Sequence, residues 1–389
     1  MRAVHRRLLL AGVVAASVGG AAAFPVLADS SSPSLVKVTA AEGTPVPGQY
    51  IVTMKNGASA AAAAEKVKAA GAQRFDGALN GFAARLTGDQ LNKLRHDSRV
   101  AAIEQDQIVK AQTSTEKSAP WGLDRIDQRK RPLSKTYSYN ALAKNVTAYV
   151  IDTGLAVNNT EFGGRAAVSW VAPRYNGSGA DCNGHGTHVA GIIGSKTYGV
   201  AKGVKLRALR VLDCDGTGYV SDIVAAANWL RTHAAKPSVA NLSIGGPKSA
   251  ALNTAVMNLS KSGVFVSVAA GNDNKDACNF SPSSASWVMT VGATTSYDNR
   301  ATFSNWGKCV DINAPGYDIR STLPGNTTGL ESGTSMASPF VAGTAALYLQ
   351  MHPKASFPTV QTWLNDTSTK NVLGRMRSQA NRLLYKSNL

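Results

Sequence analysis

From Trp121 onward the chain alternates between short, almost continuous apolar runs and longer stretches in which apolar residues recur with helical period. The runs predict strands and the stretches predict helices. The predicted strands are Val146–Ile151, Val204–Leu212, Val239–Ile244, Val264–Ala269 and Val288–Val291, and the predicted helices are His185–Ser195, Ser221–His233, Ala250–Ser262 and Ser335–Met351. Strands that are apolar throughout and alternate with helices indicate an α/β domain whose parallel sheet is covered on both faces.

A shorter pattern occupies residues 48–113. It predicts, in chain order, a strand, a helix, two strands around a Gly/Asn turn, a helix and a strand: Tyr50–Met54, Ala58–Ala70, Ala72–Phe75, Gly81–Leu86, Thr87–His96 and Val100–Val109. The second helix begins with the capping-box sequence Thr87-Gly-Asp-Gln90. The order βαββαβ is that of a small ferredoxin-like α+β domain, and we expect a partner to add to the stability of so small a core.

The N-terminus has the pattern of a secretory signal over residues 1–28. A basic start and the apolar run Leu8–Val18 precede the small-residue cleavage site Val26-Leu27-Ala28. Because the run is shorter than the roughly 20 residues that span a membrane, we expect a cleaved signal and export instead of a membrane anchor. Residues 29–47 are rich in Ser, Pro, Ala and Gly and predict a linker, whereas residues 114–389 contain the main domain.

The four cysteines are predicted to form disulfides, because export leads to an oxidising compartment that favours disulfides over free thiols or zinc sites. Three pairings are possible. Sequence separation favours Cys182 with Cys214 and Cys278 with Cys309.

The formal net charge of +17 raises the possibility of nucleic-acid binding. The positive residues are scattered along the chain, however, without a dense basic helix or an RNA-binding aromatic signature. We therefore expect a solvated basic surface and no nucleic-acid partner.

Asp152 follows the apolar strand Ala148–Ile151 in the sequence Asp152-Thr-Gly154. It should therefore emerge at the carboxyl end of a parallel strand, where open α/β sheets place their ligand crevices. Its predicted role is to orient and stabilise a histidine. Taken alone, the tripeptide fits a turn or helix-cap aspartate better, and an aspartic-protease dyad would need a second such motif, which the chain lacks.

His185 lies between two glycines at the start of a predicted apolar helix, which leaves its imidazole exposed and lets the backbone approach closely. It is the candidate general base. His188, three residues later, raises the alternative of a metal site with Cys182. Zinc-protease helices place histidines four residues apart with a glutamate between them, whereas Gly and Thr intervene here. His188 is therefore expected to be a packed structural residue.

Ser335 begins a long apolar helix, with Pro339 placed in its first turn. A helix start supplies free N–H groups and partial positive charge, which suits a nucleophile whose substrate develops an oxyanion. Asn272, at a predicted strand end, could donate a further hydrogen bond to that oxygen. An α/β-hydrolase elbow is excluded because it needs Gly where Ala337 stands, and because the required Asp and His do not follow in order. Each motif alone also fits an ordinary cap or turn.

Together these segments resemble the subtilisin-like serine proteases, and most closely the secreted proteinase K-like branch that includes aqualysin. The chain order Asp, His, Ser is that of subtilisin. The resemblance implies that Asp152, His185 and Ser335 form a catalytic triad, that Asn272 is the oxyanion-hole donor, and that catalysis needs no cofactor. It also supports the two short-range disulfides and a monomeric enzyme that acts on proteins and peptides.

The resemblance further implies that residues 48–113 are an inhibitory, chaperone-like pro-segment, removed by a cut near Lys110–Ser114. Residues 114–389 would then be a secreted endopeptidase with a three-layer subtilisin-like fold, made as a self-processed zymogen. A protease-shaped binding protein without activity would need a missing triad or oxyanion residue, and none is missing. A metallohydrolase is the third hypothesis, beside the serine endopeptidase and the inactive binding protein.

In this family an extended peptide adds as a strand between two edge segments. The matching segments are Gly216-Thr217-Gly218 and Ser243-Ile244-Gly245-Gly246, and the expected far wall of the first pocket is Ala269, Ala270 and Gly271. Such a pocket would be roomy and uncharged. The resemblance therefore implies broad endopeptidase activity with a preference for apolar or aromatic residues before the cut bond.

Structural calcium is implied at two places. Asp311, with the carbonyls of Ser286 and Val288, matches a calcium site of proteinase K-like relatives. The family's proline at the first carbonyl position is Ser286 here, a small departure because the ligand is a backbone atom.

Asp124, Asp127 and Gln128 could form the second calcium site, because oxygen ligands three and four residues apart share one face of a helix. The alternative for the two aspartates is pairing with a neighbouring cation: Arg125, Arg129 or Lys130.

Overall fold

The computed structural model describes residues 35–41, 44–76, 80–108, 114–377 and 380–389. The chain forms two units, Met1–Lys110 and Ala111–Leu389. The predicted signal peptide, its cleavage site and residues 110–113 of the expected maturation region lie outside the described residues. No helix in the described part of the chain is long and apolar enough to cross a membrane.

The first unit has the predicted βαββαβ order, with one additional strand at its start. Its elements are β1 (Val38–Thr39), β2 (Thr44–Met54), α1 (Ala60–Lys66), β3 (Gln73–Asp76), β4 (Asn80–Arg85), α2 (Gly88–Arg95) and β5 (Val100–Ile108). The strand order is β1-β5-β2-β4-β3. Strand β2 is antiparallel to both β4 and β5, while β1 pairs with β5 in parallel. Buried Val52, Phe82, Leu94 and Ile103 fill the core of this unit.

Residues 29–47, expected to be a linker, contain strand β1 and the beginning of β2. The pairing has an apolar cause, because Val36 and Val38 pack against the core of the unit. The predicted capping box of α2 is present: Gln90 N–H donates to Thr87 Oγ1 at 3.3 Å, and Thr87 N–H donates to Gln90 Oε1 at 2.8 Å.

The second unit contains the remaining helices and strands. The helices are α3 (Trp121–Asp127), α4 (His185–Gly194), α5 (Val220–His233), α6 (Ala250–Lys261), α7 (Thr334–Met351) and α8 (Phe357–Thr367). The first strands are β6 (Ser114–Lys117), β7 (Thr136–Tyr139), β8 (Thr147–Asp152), β9 (Ala166–Val171), β10 (Lys205–Arg210), β11 (Ser238–Leu242), β12 (Gly246–Pro247) and β13 (Phe265–Ala269). The later strands are β14 (Phe280–Ser281), β15 (Met289–Thr294), β16 (Ile312–Pro315), β17 (Ile319–Leu323), β18 (Thr327–Glu331), β19 (Thr369–Lys370) and β20 (Arg382–Leu383).

Nine of these strands form the central sheet, in the order β19-β20-β16-β15-β13-β11-β8-β10-β9. All neighbouring pairs are parallel except β19 with β20. Both faces are buried, as alternate residues of β8 show. Ala148 and Val150 face a core shared with α4 and α7, whereas Tyr149 and Ile151 face a core shared with α5 and α6. The predicted three-layer α/β architecture is therefore confirmed.

Both predicted disulfides, Cys182–Cys214 and Cys278–Cys309, are present. The first joins the loop before α4 to the loop after β10, so it links two segments that border the carboxyl end of the sheet.

Candidate active site

Asp152 is the last residue of β8 and is almost completely buried. His185 is the first residue of α4, and its Nδ1–H donates to Asp152 Oδ1 at 2.7 Å. Thr153 N–H donates to the same oxygen at 2.8 Å. Because Nδ1 carries the proton shared with Asp152, the Nε2 atom of a neutral His185 keeps its lone pair and can accept a proton.

The electrostatic surroundings of His185 favour its charged form. Burial alone lowers the pKa of this imidazole, but the charge of Asp152 and its hydrogen bond outweigh burial, and Glu331 and Asp181 add to the effect. The pKa of His185 is raised to about 9 as a result. The neutral form needed for general-base catalysis therefore predominates only in alkaline solution.

Asp181 orders the loop that carries His185, a role the sequence did not predict. Its Oδ1 accepts hydrogen bonds from Thr153 Oγ1 at 2.9 Å and Gly184 N–H at 2.8 Å, and its Oδ2 accepts from Thr187 N–H at 2.8 Å. Burial raises the pKa of Asp181, but the hydrogen bonds from Thr187, Gly184 and Thr153 outweigh burial and lower it overall. The carboxylate thus ties the end of β8 to the first turn of α4.

The glycine after His185 permits the close approach that the sequence suggested. A Cβ atom at Gly186 would lie 2.3 Å from the carbonyl oxygen of Gly154 and 3.3 Å from Asp152 Cβ. Any larger residue at 186 would therefore push α4 away from β8 and lengthen the contact between His185 and Asp152.

Ser335 is the second residue of α7, and it exchanges hydrogen bonds with Ser243. Its Oγ donates to the Ser243 carbonyl at 3.1 Å, and Ser243 Oγ donates to the Ser335 carbonyl at 2.6 Å. Pro339 is the sixth residue of α7, in its second turn and not in the first as expected. Its missing N–H leaves the Ser335 carbonyl, four residues earlier, without a helical partner, and Ser243 supplies one.

In the part of the chain that the structure describes, the Ser335 hydroxyl bonds to Ser243 and not to His185. Serine side chains have three staggered rotamers, and hydrogen bonds between catalytic groups often form only with substrate present. Two more hydrogen bonds extend from Ser243: Asn241 Nδ2 donates to Ser243 Oγ at 2.8 Å, and Ser338 Oγ donates to Asn241 Oδ1 at 2.7 Å. This buried network fixes the start of α7 to the ends of the central strands.

Asn272 is held in one orientation by Thr334. Its Oδ1 accepts from Thr334 N–H and Thr334 Oγ1, both at 2.8 Å, and that hydroxyl accepts from Gly271 N–H at 3.0 Å. The amide nitrogen of Asn272 is thereby left to donate elsewhere. A Cβ atom at Gly333 would lie 3.3 Å from Asn272 Nδ2 and 3.5 Å from Ser335 N. The two donors therefore border one small space, and this space is open because residue 333 has no side chain.

The predicted substrate segments line two adjoining cavities. The larger, of about 640 Å³, is bordered by His185, Gly216–Gly218 and Ser243–Pro247. The second, of about 420 Å³, is bordered by Ser243–Pro247, Ala269–Asn272 and Ser335. Exposed Asp273 also borders the second cavity, so its rim is not uncharged as expected.

Arg210 connects the loop of His185 with the first substrate segment. This arginine, at the end of β10, is 6% exposed. Its guanidinium donates to the carbonyls of Ser178, Ala180 and Leu212 at 3.1, 2.9 and 3.2 Å, and Nη2 lies 3.2 Å from Cys182 Sγ. The loops on the two sides of the larger cavity are thus held by one side chain and one disulfide.

Asp311 has the chemistry of a cation ligand. Burial raises the pKa of its carboxyl to about 6. Its hydrogen-bond donors are Thr290 N–H at 2.8 Å and, more distantly, Gln361 Nε2 at 3.4 Å. The hydrogen bond from Thr290 and the charge of Arg382 lower this pKa, but burial outweighs both, and a carboxylate in that position fits a bound calcium ion.

The second proposed calcium site does not fit. Both oxygens of Asp124 accept hydrogen bonds, from Ser134 Oγ at 2.9 Å and Lys135 N–H at 2.5 Å, and Asp127 lies 2.9 Å from Lys386 Nζ. The alternative, pairing with Arg125, Arg129 or Lys130, is also wrong for Asp127, which pairs with Lys386, while Arg125 pairs with Asp298. The described residues contain no group of three or more His, Cys, Asp or Glu side chains that could hold a metal ion.

Comparison with known proteins gives consistent matches over both units. A model of the subtilase family, peptidase S8, matches residues 127–382, and a model of peptidase inhibitor I9 matches residues 49–112. The extracellular serine proteinase of Thermus sp. (strain Rt41A) is 45% identical over 389 residues, covering 93% of this chain and 94% of the relative. Proteinase R of Parengyodontium album is 42% identical over 357 residues, covering 90% and 91%. The crystal structure of a cold adapted subtilisin-like serine proteinase matches with a TM-score of 0.68 and 48% identity, covering 69% of this chain and 98% of that one.

Proposed function

The chain belongs to the subtilase family of serine proteinases, and we propose that it is a secreted endopeptidase of broad specificity, made with an inhibitory segment that it removes itself. The proposal is supported by two features that lie together at the carboxyl end of the sheet. One is the Asp152–His185 hydrogen bond of 2.7 Å, and the other is the space bordered by Asn272 Nδ2 and Ser335 N.

In the proposed reaction, His185 Nε2 takes the proton of Ser335 Oγ as that oxygen attacks the substrate carbonyl. Asp152 holds the imidazole in the required tautomer and stabilises the imidazolium that forms. The oxyanion accepts hydrogen bonds from Ser335 N–H and Asn272 Nδ2. His185 then gives the proton to the leaving amine, which departs as the acyl-enzyme forms. Water, deprotonated by His185, then attacks the ester carbonyl, and His185 gives that proton to Ser335 Oγ as the acyl bond breaks, which releases the acid and free Ser335.

Substrate specificity follows from the two cavities. An extended peptide would pair with Gly216–Gly218 on one side and Ser243–Gly246 on the other. These backbone hydrogen bonds do not depend on the side chains of the substrate. The residue before the cut bond would occupy the cavity bordered by Ala270 and Gly271. Its apolar walls favour apolar or aromatic side chains, and Asp273 lies at its rim.

Three further properties belong to the same proposal. The inhibitor match over residues 49–112 supports a pro-segment that is cut off near Lys110–Ser114. The signal-like residues 1–28 and a relative named as extracellular support secretion. A structural calcium ion at Asp311 would neutralise a buried carboxylate and so add stability without taking part in the reaction.

Self-processing of the purified full chain tests this proposal. The wild-type protein should lose its first unit, and N-terminal sequencing of the product should give a residue close to 111–115. The Ser335→Ala variant should keep the first unit attached, and adding a trace of active wild-type protein should release it. Cleavage of Ser335→Ala at the normal rate in the absence of wild-type enzyme would contradict the proposal.

A further inference from the structure

Glu331 is a carboxylate beside the catalytic groups that the proposed mechanism does not use. It ends strand β18, four residues before Ser335, and its side chain is 31% exposed. Its Oε2 lies 3.9 Å from Nδ1 of His188. Among the described residues, no hydrogen-bond donor reaches the Glu331 carboxylate. A partly buried acid without hydrogen bonds, facing a buried imidazole, needs a physical explanation.

His188 connects Glu331 to the catalytic histidine. It lies on α4 one turn after His185, so the two imidazoles share one face of the helix. His188 Nε2 donates to the carbonyl of Gly329 at 3.2 Å, so the neutral ring carries its proton on Nε2. Burial lowers the pKa of His188 to about 4, so this ring is neutral at working pH. It therefore contributes no positive charge that would cancel the charge of Glu331.

Other charged groups lie on the segments that neighbour His185 and on strands packed against α4. Asp152 lies on β8, Asp181 on the preceding loop, and Asp215 borders the same cavity as His185. Four cations lie on the strands β10 and β17. Arg210 is bound by three carbonyls and Arg207 donates to two, those of Arg165 and Leu206, whereas Lys205 is exposed and Arg320 is exposed and bonds to Thr328. On the β17–β18 side, Glu331 is thus the acid whose charge reaches His185.

We infer that Glu331 is a positioning residue for the proposed proteolytic reaction: its carboxylate lies 3.9 Å from His188, which follows His185 by one turn of α4, and it stabilises the imidazolium form of His185 and so sets the pH above which His185 acts as a base. The mutual electrostatic effects are consistent with this. Glu331 contributes to the raised pKa of His185, and His185 in turn opposes the rise that burial produces in the pKa of Glu331. The inference rests on the proposed function, because it concerns the same histidine.

A negative charge favours imidazolium, so removing it lowers the pKa of His185. The active form is the neutral imidazole, so the acid limb of kcat/KM should move to lower pH. For one unit charge at a partly exposed site we expect a displacement of about 0.5 in the kinetic pKa, equivalent to about threefold higher kcat/KM on the acid limb.

The test compares the pH profiles of matured wild-type protein, Glu331→Gln and Asp366→Asn from pH 5 to 10 at low salt, with an uncharged chromogenic peptide. Asp366, an exposed acid on α8, controls for the loss of one negative charge elsewhere. Glu331→Gln should move the acid limb down by about 0.5 and keep the alkaline plateau within twofold, whereas Asp366→Asn should match wild type. Glu331→Leu should shift the limb in the same direction, and it replaces the glutamine variant if that does not fold.

Coincident acid limbs for wild type and both Glu331 variants would overturn the inference. A lower plateau with an unmoved limb would also overturn it, because that result assigns Glu331 a purely structural role. Absence of any hydrolysis by the wild-type protein would instead refute the proposed function, so the two failures are distinguishable.

Discussion

Replacing Gly333 with alanine is expected to remove most of the activity while leaving the fold intact. The backbone at this residue is extended, with φ 168° and ψ 164°, which any residue can adopt. The added methyl group would lie 3.3 Å from Asn272 Nδ2 and 3.5 Å from Ser335 N. An oxyanion must lie about 2.7 to 3.1 Å from each donor, so the methyl group and the oxyanion would compete for one space.

The size of the effect follows from the donors that are obstructed. Removal of the asparagine donor of subtilisin lowers kcat by about 10²-fold to 10³-fold, and we expect a loss in the same range for Asn272→Ala. Because the methyl group obstructs both donors, Gly333→Ala should lose at least about 10²-fold in kcat, roughly 2.7 kcal/mol of transition-state stabilisation. The double variant should lose little more than the worse single variant, because both changes act on the same oxyanion.

The assay is kcat and KM for a chromogenic peptide, measured on variants matured by tagged wild-type enzyme that is then removed. Thermal midpoints of the same samples report the fold. Retention of more than a tenth of wild-type kcat by Gly333→Ala would refute the reasoning. Fully multiplicative losses in the double variant would also refute it, because they would show that the two residues act on separate steps.

Two further predictions concern Asp181 and Asp311, carboxylates that take no part in the proposed reaction. Asp181→Asn should lower kcat/KM about tenfold and the melting temperature by about 2 to 4 °C at pH 7, because Thr187 loses its acceptor. Since the folded pKa of Asp181 is lowered, its stabilisation is present above the unfolded pKa, and the difference between the melting temperatures should shrink in acid. Asp311 has a raised pKa, so without calcium its stabilising contribution is lost as pH rises through about 6. With chelator, Asp311→Asn should therefore melt above wild type at pH 8, and excess calcium should reverse the order; a wild-type melt unaffected by chelator would exclude the calcium proposal.

The parts of the fold that the sequence predicted are those whose burial leaves a local pattern. The central strands are apolar on both faces, so β8, β11 and β13 were predicted to within two residues. The hairpin β17–β18 was missed because Thr327–Glu331 is largely exposed and has no apolar alternation. Its position depends on α4, whose carbonyls accept hydrogen bonds from Ser321 and Thr322.

The candidate site divides in the same way. Asp152, His185, Ser335 and Asn272 lie in short motifs that could be recognised from neighbouring residues alone. Asp181 and Glu331 could not, because their roles arise from hydrogen bonds and charges that join segments far apart in the chain. The second calcium site failed for a related reason, since its Asp127 is paired with Lys386 from the other end of the unit.

The central claim is that Ser335 is the nucleophile of an Asp-His-Ser triad. Labelling of the matured protein with a fluorophosphonate, followed by peptide mass spectrometry, tests it most directly. We predict one adduct, on Ser335, that is strongly reduced in His185→Ala and accompanies loss of proteolytic activity. Continued proteolysis by a protein unlabelled at Ser335, or inactivating modification at another residue, would contradict the account.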